Sequence, residues 1–136
     1  MILEKISVSK GKERISLENC NVLKSGLEND DKAGKKDREI SVYIDRKIDF
    51  IDGLCTKKFK ANLNISFNDT DRCIKFGSIL KIGSAILLVN SVRKKCFSEC
   101  TLEKDECYLL ENVFYCSVLK EGTIKSNTKV LVYLFE

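Results

Sequence analysis

Histidine, proline and tryptophan are absent from this 136-residue chain. Without histidine there is no Ser-His-Asp or Cys-His catalysis, no histidine metal site and no usual general base at neutral pH. A lysine, a carboxylate or a thiolate has to do any proton transfer. No apolar run approaches the roughly 18 residues that read as a membrane span. The N-terminus, MILEKISVSKGKER, lacks the apolar core of a signal peptide. No Gly-x-Gly-x-x-Gly or Walker-type pattern is present. The net charge of +4 is mild, and the cations are scattered among 20 acidic residues. Nucleic acid binding needs a concentrated basic stripe, so no nucleic-acid partner is expected, and no membrane contact.

Cysteine, by contrast, is plentiful, with seven in the chain. The odd count and irregular spacing do not read as a secreted disulfide framework, so a cytoplasmic protein with reduced thiols is expected. The stretch LKIGSAILLVNSVRKKCFSECTL carries the strongest chemical signal. An apolar strand-like run leads into Arg93, Lys94 and Lys95, then Cys96, then Cys100. Nearby positive charge favours the thiolate, the form of sulfur that attacks and ligates. The same cations suit an oxyanion, arginine through its fork and lysine as a point charge. The bland alternatives are a solvated charge run and a small buried thiol. For Cys20, Cys73, Cys107 and Cys116 the buried apolar role is the expected one. Cys96 and Cys100 are too poorly spaced, without histidine partners, for zinc to be expected.

At this length a core can be buried without disulfide staples, and one domain over 1–136 is expected. Loose alternation marks strands over Met1 to Gly11, Ile15 to Leu23 and Arg38 to Ile44. Others follow at Ile79 to Ile82, Ala85 to Val92, Phe114 to Leu119 and Lys129 to Phe135. Leu63 and Ile65 face one way, as in a half-buried strand. Lys24 to Lys36 reads as an exposed, mobile loop, with Lys32, Lys35 and Lys36 able to close over an anion. Asp45 to Asp52 and Glu99 to Glu111 read as short helices or turns, and Glu121-Gly122 as a turn. The fold class expected is mostly β: a closed barrel with one or two short helices.

Five blocks in order resemble the MOSC family, the domain at the C-terminus of molybdenum-cofactor sulfurases. LKIGSAILLVNSVRKKCFSEC resembles its strand-strand-cysteine block, and Phe59-Lys60-Ala61-Asn62-Leu63 its Phe-Gly/Ala-Glu-Asn-Leu element. Gly26 to Asp30 with Ala33-Gly34 resembles its Gly-Asp-x-His-Ala-Gly loop. Arg38 to Val42 resembles the strand after that loop, and Val113 to Lys125 the closing segment. Lys32 stands where the family has its loop histidine, and Ala61 where it has a glutamate. The resemblance implies a MOSC-like domain that binds the molybdenum-pterin cofactor, carries sulfur as a cysteine persulfide, or does both. It implies Cys96 as the sulfur-carrying or molybdenum-meeting residue. Arg93, Lys94, Arg38, Asn62 and Lys32 are its implied cofactor-binding residues, with Cys100 as resolving thiol. A separate pyridoxal-phosphate cysteine desulfurase or a molybdoenzyme is the implied partner. Enzymatic turnover is left open. A thiol redox-sensing or structural module without cofactor is the alternative.

Overall fold

The computed structural model of the chain describes residues 1–31, 33–34, 39–45, 61–66, 74–90 and 113–133. Their regular structure is β. The strands are β1 (Ile2–Lys10), β2 (Glu13–Leu17), β3 (Asn19–Leu23), β4 (Gly26–Leu27), β5 (Ile40–Asp45) and β6 (Leu63–Ser66). They continue with β7 (Ile79–Ile82), β8 (Ala85–Val89), β9 (Val113–Lys120), β10 (Gly122–Lys125) and β11 (Thr128–Tyr133). The two expected helices fall on residues outside those described, apart from Asp45, which ends β5.

Seven strands close on themselves in the order β11-β7-β8-β9-β5-β6-β1, and β1 returns to β11 through Ile2↔Lys129 and Leu3↔Thr128. β2 extends the sheet beyond β1 as a hairpin. Period-two alternation explains the closure: every second side chain points inward and needs an apolar neighbour. Ile40, Val42 and Ile44 are buried while Ser41, Tyr43 and Asp45 are only partly so. Leu63 and Ile65, Leu80 and Ile82, and Ala85, Leu87 and Val89 repeat the pattern around the barrel. Each Val, Leu or Ile of this pattern contributes about 1.5–3 kcal/mol by leaving water, and Ala85 less. All strand pairs in the barrel are antiparallel except β5 with β6, where Val42 faces Leu63 and Ile44 faces Ile65. A parallel pair needs a crossover connection, unlike the hairpin that can join an antiparallel pair.

A three-stranded sheet, β10-β3-β4, lies beside the barrel. It corrects three expectations. The expected strand from Ile15 to Leu23 is two strands, because the chain bends at Glu18 and passes from one sheet to the other. Gly122 opens β10 and is not a turn residue. A Cβ there would lie 2.5 Å from the carbonyl carbon of Ser84, so this glycine lets the small sheet approach the β7–β8 turn. The expected loop from Lys24 to Lys36 contains β4, and its described part is tied down. Leu27 is 1% exposed and pairs with Val22. Leu27 is the apolar anchor that the polar composition of the segment conceals.

No helix among the described residues is long and apolar enough to cross a membrane.

Candidate functional site

Asn62 precedes β6 and is 7% exposed. Its backbone carbonyl accepts from Ser7 N at 2.8 Å. Its side-chain Oδ1 accepts from Ser41 N at 3.0 Å and Ser41 Oγ at 3.1 Å. Its Nδ2 donates to Ser7 O at 3.1 Å and to Asp30 Oδ2 at 3.0 Å. The carboxamide is thereby saturated, with two bonds accepted and two donated. Asn62 therefore holds protein groups in place, and a ligand would have to displace one of these partners.

The partners come from three distant stretches of sequence. Asp30 belongs to the segment after β4, Ser41 to β5 and Ser7 to β1. Asp30 also accepts from Ser9 N at 2.9 Å through Oδ1, and Asp31 accepts from Gly11 N at 2.6 Å. These carboxylates clip the segment along β1. Gly26 permits the approach from the other side: its φ is 129°, and a Cβ there would sit 2.5 Å from Glu39 O. An L side chain is excluded by both the conformation and the contact. Three of the five blocks that resemble MOSC elements therefore meet at Asn62: the loop 26–34, the strand through Ser41, and the element carrying Asn62 itself.

Arg14 was not distinguishable in the sequence, where it reads as one more cation in a hairpin. In the fold its Nε donates to Ser7 Oγ at 3.1 Å, and Ser7 Oγ donates to Ala61 O at 2.8 Å. Its Nη2 is buried without a hydrogen-bond partner, and so is Glu39 Oε2. Burial draws the Arg14 guanidinium below the ordinary arginine range, and the Asp30 carboxylate pushes it partly back.

Asn62 also lies on a row that crosses the sheet. Ser41, its partner, is opposite Tyr115, and Tyr115 O accepts from Asn90 N at 2.9 Å. Asn90 Nδ2 donates to Ser117 Oγ at 2.6 Å. From β6 through β5 and β9 to β8 is three interstrand steps, about 14 Å along the sheet. Asn90 is the last described residue before the segment with Arg93, Lys94, Cys96 and Cys100. Those four residues, with Lys32 and Arg38, lie outside the described residues; Asn62 alone among the expected site residues lies within them.

Two cysteines are described, and both are buried free thiols, as expected for them. Cys116 is fully enclosed on β9 between Ile40 and Val89, its cross-strand neighbours. Burial, with a smaller contribution from Glu39, pushes its thiol up to about 12. Cys20 is likewise raised by burial, with Glu28 O acting as a weak acceptor at 3.9 Å. Neither can supply a thiolate at neutral pH.

No protein-family model matches the sequence, and no curated protein matches it. Solved structures do match in fold. YuaD from Bacillus subtilis superposes with a TM-score of 0.68 at 13% identity, over 99% of this chain and 96% of that one. YiiM from Escherichia coli gives 0.60 at 16% identity, over 100% of this chain and 71% of that one. A hypothetical protein gives 0.60 at 17% identity, over 96% of this chain, which spans 65% of that protein's length. These likenesses cover nearly the whole of this chain. At such identities they speak to the fold alone.

Proposed function

We propose that this chain is a MOSC-like domain that binds an anionic molybdenum-pterin cofactor and carries sulfur on Cys96. The observation that carries the reading is the convergence of three separated motif blocks on Asn62. The node fixes where the loop through Asp30 lies against β1 and β5. The site also fits an anionic group: the buried Nη2 of Arg14 lacks a protein partner, and an oxyanion supplies one. Lys32 and Arg38 adjoin Asp31 and Glu39 in sequence, and in this reading they hold the pterin phosphate with Arg93 and Lys94. When bound, the cofactor supplies a metal centre for atom transfer. Asn62 positions the loop and β5 around the group without touching it.

Cys96 is six residues beyond Asn90, a reach of at most about 20 Å. That exceeds the roughly 14 Å of sheet between Asn90 and Asn62, so one site can include both. Arg93, Lys94 and Lys95 stabilise the Cys96 thiolate. The thiolate attacks the outer sulfur of a donor persulfide. A new S–S bond forms on Cys96, the donor's S–S bond breaks, and the donor leaves as a thiolate. The donor in this scheme is a separate cysteine desulfurase.

The test uses the full chain isolated from its native host. Pterin and molybdenum are assayed, and persulfide on each cysteine is mapped by mass spectrometry. The expected result is sulfur on Cys96 and its loss in Cys96→Ser with the fold intact. A Cys96–Cys100 disulfide that forms and breaks across a redox series, with no persulfide or pterin, favours the redox-sensing alternative instead.

A further inference from the structure

Arg14 is more than half of a structural pair. Its Nε is fixed on Ser7 Oγ, and Ser7 is fixed in turn on Ala61 O. The Nε side of the guanidinium is therefore held in place before any ligand arrives. Asp30, the nearby carboxylate, has each oxygen engaged already, Oδ1 by Ser9 N and Oδ2 by Asn62 Nδ2. It offsets the guanidinium charge at a distance without satisfying Nη2. A desolvated donor on a charged group is costly to leave unmade.

We infer that Arg14 is an oxyanion-binding residue: its Nη2 takes one oxygen of a phosphate-class group at the Asn62 cluster. The inference rests on the MOSC-like reading for the identity of the site, and it adds to that reading a residue on β2 that no motif block contains. Nε is engaged by Ser7, so the contact is through the Nη edge. Lysine, a point charge without a fork, cannot make both bonds at once. The atom is covered in the free chain, so the anion enters with a local opening of its surroundings.

The experiment is thermal unfolding of the full chain against inorganic phosphate, with sodium chloride at matched ionic strength as control. A ligand that binds only the folded state raises the midpoint progressively with concentration. The wild type is expected to rise beyond the chloride control, and sulfate to act in the same way. Arg14→Gln should abolish the phosphate-specific rise, and Arg14→Lys should retain little of it. Ser7→Ala keeps the charge and frees the fork, and should weaken phosphate binding about tenfold. It serves as the arbiter where Arg14→Gln does not fold. The phosphate readout involves no persulfide, so failure of sulfur carriage and failure of this inference are separate results. A rise no greater than with chloride, or one that persists in Arg14→Gln or is unaltered in Ser7→Ala, overturns the inference and leaves Nη2 to a buried water.

Discussion

The wall formed by β7, β8 and β9 and the corner where β1, β5 and β6 meet use the same alternating strands but different fastenings. The wall is held by its backbone ladders and an apolar inner face, with the Asn90–Ser117 bond across its edge. The corner adds a saturated polar node, in which Asn62 bonds Ser7, Ser41 and Asp30. An apolar face tolerates rearrangement at a cost proportional to area. A polar node does not, because each lost partner strands a buried group. The wall supplies rigidity, whereas the corner fixes where a loop lies.

Truncating the core should not distinguish the two. Leu87→Ala in the wall and Leu63→Ala in the corner both remove fully buried side chains, and each should cost about 2–5 kcal/mol in urea unfolding. A large difference between them would mean that one region is less closely packed than the other.

Removing polar groups should separate them. Asn62→Ala removes the side-chain partner of Ser41 N and Ser7 O and one of the bonds to Asp30, and should cost about 2–3 kcal/mol. Amide exchange should quicken at Ser9 and Gly11, whose N–H groups the loop carboxylates accept. Asn90→Ala in the wall should cost about 0.5–1.5 kcal/mol and leave those amides unchanged. Equal costs for the two substitutions would contradict the distinction.

The apolar half of this comparison was legible in the sequence. Ile40, Val42 and Ile44 alternate cleanly, and Gly83-Ser84 marks the turn between β7 and β8. The polar half was legible only as the family resemblance that singled out Asn62. Nothing local announces that Asp30, Ser41 and Ser7 share one carboxamide, since their contacts span 21 to 55 residues of chain. Leu27 and Gly122 were misread for a related reason. Each sits in a polar or turn-like context, and only the second sheet gives it something to pack against. Arg14 was invisible because a charged residue in a hairpin is ordinarily a solvated one.

At neutral pH the smallest effect is expected from the Cys116 thiol. Its folded-state value is raised from 9.0 to about 12. Below about pH 9 the thiol is protonated in both states, and its contribution is fully present. As the pH rises from there toward 12, the unfolded chain releases the proton while the fold retains it, so stability falls. Cys116→Ala should lose less stability than the wild type as the pH rises from about 9 toward 12, the window set by those two values. Identical slopes would show that Cys116 is not enclosed as described.

The contrast that bears on function lies between the enclosed thiols of Cys20 and Cys116 and the thiol beside three cations. Alkylation rates of the individual cysteines, measured by mass spectrometry on the folded chain across pH, test it most directly. Cys96 should react fastest at neutral pH, while Cys20 and Cys116 stay protected until the chain unfolds. A Cys96 that reacts no faster than Cys116 would contradict the proposed sulfur-carrying role.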